Sequence, residues 1–178
     1  MTAQTAQFTK DVLDRNEAIL MQAMEGLTPA DLHAQPGQDS NPIGWLMWHL
    51  SRVQDNHVSA MAGKQHVWVT DGWNARFGRD GFPVEDRGRG HTPEQVREFK
   101  APDGAALVAY YKAVRAETNK FLDGLSEADL NRPVPAVEGD STVPLRIRLE
   151  MVVVDGLQHS GQIAYLRGLL QGKGWLAS

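Results

Sequence analysis

Asp155-Gly156-Leu157-Gln158-His159-Ser160-Gly161-Gln162 lies in the middle of the last long amphipathic segment of the chain. It sets a carboxylate and an imidazole four residues apart. On a helix, four residues amount to about 400° of rotation and about 6 Å of rise, so both side chains leave the same face one turn apart. That spacing makes Asp155 and His159 a chelating pair. A third donor of suitable type occurs once in an equally helical setting, at His49 within Trp45-Leu46-Met47-Trp48-His49-Leu50. The expectation is that His49, Asp155 and His159 meet inside a helix bundle and hold a divalent metal. Two further readings stand beside it: a buried hydrogen-bonded Asp-His pair or an i,i+4 surface pair, with His49 as a core histidine.

Outward from that stretch, helical periodicity recurs. The last helix is expected from about Pro144 to about Leu170, opened by Thr142 as a nearby cap and stopped by Gly172 and Gly174. Its interior glycines at 156, 161 and 168 each cost about 1 kcal/mol relative to alanine, and imply close approach of a backbone or ligand, or small-residue packing. Phe8, Val12, Leu13, Ile19, Leu20, Ala23 and Met24 give a first helix from about Thr5 to about Glu25. Thr28-Pro29-Ala30-Asp31 reads as a short capped turn, and Ser126-Glu127-Ala128-Asp129 repeats it. The second long helix, capped by Ser40 or Asn41, runs to about Ala62 before Gly63, and the third runs from Asp103 to Gly124. Pro133 to Gly139 reads as a breaker segment.

Between Gly63 and Asp103 periodicity is lost among glycines, arginines and Trp68, Trp73, Phe77 and Phe82, apart from one short helix capped by Thr92-Pro93-Glu94-Gln95. Such a connection is long enough to run the length of a bundle, which lets the second and third long helices lie parallel. The fold class expected is therefore all-α, a single-domain four-helix bundle with a long crossover between helices 2 and 3.

Composition frames this. The chain has 178 residues, 42% hydrophobic and 22% charged, enough for one domain with a real core. A formal charge of -4 and a pI near 5.8 give no global pull toward nucleic acid or anionic membrane. Met1 to Asn16 lacks an apolar signal region and Met151 to Val154 is too short to span a bilayer, so the expected address is cytoplasmic. The absence of cysteine removes disulfides, thiolate metal ligands and cysteine nucleophiles, so any thiol chemistry must use a thiol that is brought in.

Trp45, His49, Val53 and Asn56 share an arc of about 80° on the second long helix, and Val152, Asp155, His159, Ile163 and Leu166 share a stripe on the last. An aspartate on an apolar stripe is costly unless paired or bound to a cation. Two imidazoles and one carboxylate would leave a metal with open positions, the arrangement of a catalytic site. His57 lies about 80° round the helix from His49, near enough to flank the site but read as partly exposed instead, while His33, His66 and His91 read as surface residues. Trp73, Arg76 and Phe77 read as satellite packing or a pocket mouth.

Trp48-His49-Leu50, Trp73-Asn74, Phe77-Gly78 and, most specifically, His159-Ser160-Gly161-Gln162-Ile163-Ala164-Tyr165-Leu166-Arg167-Gly168 resemble the DinB-like superfamily. Within it they are similar to the mycothiol-dependent branch, which includes mycothiol S-transferase and maleylpyruvate isomerase-like metalloenzymes. The resemblance covers nearly the whole chain and implies a four-helix bundle of a kind that is often homodimeric, and a metal held by His49, Asp155 and His159. Asp155 departs from the commonest pattern, since many members carry histidine at that position, whereas some thiol-dependent relatives carry a carboxylate there. The implied chemistry is a divalent ion, zinc by expectation, that binds a low-molecular-weight, mycothiol-like thiol and presents its thiolate to a small-molecule electrophile. Gln162, about 60° from His159, is placed to hydrogen-bond a ligand or substrate, and Arg52 and Arg76 are candidate contacts for substrate carboxylates. Competing classes are a metal-dependent hydrolase on the same scaffold and a non-catalytic metal or small-molecule binding protein. DNA-damage-associated binding is opposed by the acidic charge and the lack of a basic stripe.

Overall fold

Four long helices carry the structure, and half of their ends are set by a capping side chain or a glycine. The computed structural model describes residues 3–137, 139–172 and 174–176. In chain order the helices are α1 (Gln4–Met24), α2 (Pro29–His33), α3 (Ile43–Ala62), α4 (Val67–Thr70), α5 (Trp73–Arg76), α6 (Pro93–Glu98), α7 (Gly104–Asp123) and α8 (Leu145–Gln171). A 3-10 turn at Glu127–Asn131 and two short strands, β1 (Pro133–Pro135) and β2 (Thr142–Pro144), separate α7 from α8. Thr28, Thr92 and Ser126 each form the reciprocal capping box that their sequence announces, and Asp103 caps α7 through the Ala106 amide. Gly63 closes α3 in the left-handed conformation.

Two expected caps are corrected. Pro42 and Pro144 are themselves the N-caps of α3 and α8, without a side-chain hydrogen bond. Ser40 is already committed, accepting from the Gly37 amide and donating to the Gly37 carbonyl. Thr142 instead pairs with Pro135 in an antiparallel two-stranded ribbon, so the expected breaker segment contains a strand. The glycines of α8 do not mark close backbone approach. An added Cβ at Gly156 would meet Asn16 at an ordinary 3.5 Å, and at Gly161 and Gly168 it would meet nothing within 4 Å. Nothing in the structure explains the last two.

The long helices form a ring in which α1 and α3 each pack against both α7 and α8. One core cluster joins Leu13 of α1, Val58 of α3, Leu122 of α7 and Leu149 of α8. A second joins Leu20 of α1, Trp48 of α3, Leu107 of α7 and Ile163 of α8. Hence α1 runs parallel to α8, and α3 runs parallel to α7 with the long connection between them, as the crossover expectation required. No helix among the described residues is long and apolar enough to cross a membrane. The outer face of α8 leaves Val154, Leu157, Tyr165 and Leu169 exposed.

The long connection is anchored by one buried pair. Arg52 and Asp55 are 0% and 1% exposed and lie 3.2 Å apart on α3. The Asp55 carboxylate also accepts from the Val67 and Trp68 amides at 2.9 and 2.8 Å, and from the Tyr110 hydroxyl at 2.9 Å. Arg52 donates to the Val84 carbonyl and, at 3.1 Å, to the Asp86 carbonyl. Arg52 is therefore not a substrate contact. Removing one partner of a buried pair leaves the other charge uncompensated. Asp55→Ala is expected to lower stability by about 3–5 kcal/mol, read as a shift in the urea midpoint; an unshifted midpoint would show that the pair anchors nothing.

Candidate metal centre

His49 from α3 and Asp155 and His159 from α8 converge, with one donor atom of each within 4.8 Å of the others. Asp155 Oδ1 lies 3.5 Å from His159 Nε2 and 3.8 Å from His49 Nε2. Ligands bound about 2 Å from one tetrahedral ion sit about 3.3 Å apart, so these separations suit a shared ion better than a direct hydrogen bond. The imidazole planes of His49 and His159 are nearly perpendicular, at 88°, with ring centroids 4.7 Å apart.

Each imidazole is oriented by its other nitrogen. His49 Nδ1 donates to the Arg87 carbonyl and His159 Nδ1 donates to Gln162 Oε1 at 2.7 Å. In both rings the Nε2 lone pair is then free to ligate, the usual arrangement of metal-binding histidines. Gln162 thus bonds a candidate ligand. Trp45 stacks on His49 at 4.7 Å and 8°, fixing the ring from its face.

Electrostatics also fit a cation. Burial pushes the Asp155 carboxyl up, but His159 and His49 beside it outweigh burial and hold it down at about 2. For His159 burial pushes down, and Asp155 and Gln162 prevail to raise it. Asp155 Oδ2 is buried without a hydrogen-bond partner, an orphaned oxygen that a cation would satisfy. The donor set fits a divalent ion of borderline or harder character.

The three donors sit beside a cavity of about 580 Å³ whose lining includes His49 and Asp155 with His57, Arg87 and Arg89, among apolar residues such as Val53, Ile147 and Met151. Of the residues expected at the site, Arg76 is elsewhere: it is exposed and stacks its guanidinium 5.2 Å from the Trp73 ring. Phe77 is buried in the core and Trp73 packs against it. His57 is corrected from partly exposed to buried, because Arg148 of α8 covers its Nδ1. His33, His66 and His91 are half-buried rather than surface residues. His91 accepts from Trp45 Nε1 at 3.3 Å and contacts Asp86 at 3.1 Å, holding the connection against α3.

Arg87 and Arg148 were not singled out from sequence. Arg148 did carry a signal: it lies seven residues before Asp155, and so on the same helical face. Arg87 carried none, because the connection has no periodicity to read.

Four long helices with His and Asp side chains facing one another across α3 and α8 define the class of helical bundles with an inter-helix group that could hold a metal. The chain belongs to the DinB superfamily, whose family model matches residues 13–163 and whose members include metal-dependent enzymes. It is also similar to a crystal structure described as a conserved protein from Enterococcus faecalis, with 28% identity and a TM-score of 0.84, covering 97% of this chain and 100% of that one. No curated protein matches it.

Two tests follow from the geometry. Gly88 adopts φ +87, and an added Cβ would lie 2.5 Å from Trp45 and 2.9 Å from Trp48. Gly88→Ala must therefore shift the adjacent Arg87 carbonyl off His49, and zinc affinity in a chelator competition is expected to fall about 10- to 100-fold. Equal affinity would mean that the carbonyl does not orient His49.

The second test concerns pH. Burial, then the charge of Arg148, push His57 from 6.5 down to about 4, with Asp155 opposing and Arg87 adding to the depression. The unfolded chain protonates first, so the stability present above pH 6.5 is lost as pH falls toward 4, by up to about 3 kcal/mol. His57→Asn should flatten that loss in urea titrations at pH 7 and pH 4.5; identical slopes for both proteins would contradict it.

Proposed function

We propose that this protein is a divalent-metal-dependent thiol S-transferase, in which His49, Asp155 and His159 hold the ion, expected to be zinc, and a mycothiol-like thiol is the cosubstrate. The observation that carries the reading is the orphaned Asp155 Oδ2 beside two imidazoles with free Nε2 atoms, opening on a cavity large enough for a small organic molecule. A bound divalent ion would supply positive charge that favours thiolate over thiol at neutral pH.

The chain's own residues would then act by position. His49 and His159 offer Nε2 because their Nδ1 protons are engaged by Arg87 and Gln162. Asp155 balances part of the ion's charge. Trp45 shields the His49 ring from solvent on one face. The thiol must come from outside, since the chain has no cysteine. His57 is unsuited to act as a base, because its Nδ1 already accepts from Arg148, and thiolate attack on an electrophile needs none. The electrophile would enter through the cavity and meet the thiolate beside Asp155.

A metal-dependent hydrolase is the second reading, favoured by one observation: Glu150 is on the cavity lining and exposed, where it could take a proton from attacking water. Elemental analysis beside assays separates the two. Wild type is expected to carry about one equivalent of metal and His159→Ala and Asp155→Ala to lose it, with turnover of an electrophile only when thiol is present. Thiol-independent turnover would favour the hydrolase, whereas metal bound equally by wild type and both variants would remove the three-donor site.

A further inference from the structure

Behind the cavity beside the three donors lies a buried cation that no carboxylate among the described residues balances. Arg148 of α8 is 2% exposed, and each acceptor it reaches is uncharged. Its Nε donates to His57 Nδ1 at 3.2 Å, Nη1 to the Pro135 carbonyl at 2.8 Å and Nη2 to Asn56 Oδ1 at 3.3 Å. Among the described residues no carboxylate pairs with it. A buried guanidinium stays charged and is costly without a counter-ion.

The contact with His57 fixes more than a packing arrangement. A guanidinium N–H can only donate, so His57 Nδ1 must accept and the ring proton of the neutral imidazole resides on Nε2. His57 lines the cavity, and its Nε2 makes no hydrogen bond among the described residues. The result is a fixed N–H donor at the cavity, polarised from behind by a buried cation. Arg87 and Arg89 line the same cavity. Among the described residues, the carboxylates on the lining are Glu150, which is exposed, and Asp155, which is engaged with the two imidazoles.

We propose that this wall is a subsite for an organic carboxylate: His57 Nε2–H, backed by Arg148 and flanked by Arg87 and Arg89, binds a carboxylate group of the molecule that meets the metal. Val53, Ile147 and Met151 on the same lining take the apolar body of that molecule. The inference deepens the proposed function and rests on the reading of this cavity as the substrate site, naming the substrate as an anionic one. His57 is a substrate-binding residue in this scheme, and Arg148 is a positioning residue that acts through it.

The test uses benzoate as the probe and benzamide, its neutral counterpart of similar shape, as the control. Both are titrated by calorimetry into metal-free and zinc-loaded protein, with zinc content and thermal unfolding recorded for every variant. Benzoate should bind the metal-free protein at least about tenfold more tightly than benzamide, the discrimination expected of one charge-assisted hydrogen bond. His57→Phe and Arg87→Gln should each weaken benzoate by about fivefold or more and leave benzamide unchanged, with zinc content at the wild-type value. Arg87→Gln keeps the carbonyl that orients His49, so it tests the subsite even where His57→Phe perturbs folding. Equal affinity for the two probes overturns the subsite, as does benzoate binding that needs zinc and ignores both variants, since the carboxylate would then sit on the ion. If wild type fails to take up zinc while benzoate still discriminates and both variants weaken it, the subsite stands and the metal reading alone falls.

Discussion

The Arg52–Asp55 pair is the interaction on which the rest of the site depends. It stands on α3 less than two turns beyond His49, and its hydrogen bonds run outward to the connection rather than across the helix surface. Asp55 collects the first free amides of α4, a placement that a helix N-terminus favours for a carboxylate. Arg52 holds the Val84 and Asp86 carbonyls. From there Asp86 gathers Arg79 at 2.5 Å, the Gly88 amide at 3.0 Å and His91 at 3.1 Å, which tightens the chain into a loop against Trp45 and Trp48. The Arg87 carbonyl lies inside that loop and meets His49 Nδ1. One buried ion pair therefore sets, through a chain of short contacts, which nitrogen of His49 faces the other donors.

Two imidazoles near Asp155 stand in opposite electrostatic settings, and the cause is local. His159 has a carboxylate as its neighbour and is pushed toward the charged form despite its burial. His57 has a guanidinium as its neighbour, is buried more deeply, and is held neutral. Cations placed behind a neutral imidazole make it a donor, and anions placed beside one make it a better ligand base. Two histidines from α3 and α8 are thus suited to different partners, one to a cation and the other to an anion, with no change of residue type.

Periodicity made the helices and the convergence of His49, Asp155 and His159 legible, because the three lie on stripes that face a neighbouring helix. The crossover and its consequence, α3 parallel to α7, followed from length alone. Arg52 was misassigned because arginine is rarely buried, and nothing in its neighbours' spacing announces that backbone carbonyls over thirty residues away will enclose it. His57 failed for the same reason: its partner Arg148 is 91 positions distant in the chain. The two proline N-caps were hidden because serine and threonine close by offered the more familiar capping chemistry. What the sequence concealed is consistently non-local pairing of polar groups, which has no period.

The division of labour between helices and connection has a functional consequence. All three candidate metal donors come from α3 and α8, which run antiparallel and pack against each other along much of their length. Their relative placement is fixed by core packing, which tolerates little displacement. The connection contributes no donor. It supplies the carbonyl that orients His49 and the arginines that line the cavity, Arg87 and Arg89. A change in its sequence can therefore alter what the cavity accepts while the donor set remains intact. Loops on a rigid scaffold are where binding preferences are most freely varied. In this bundle the helices place the three candidate donors, and the segment between α3 and α7 shapes the cavity beside them.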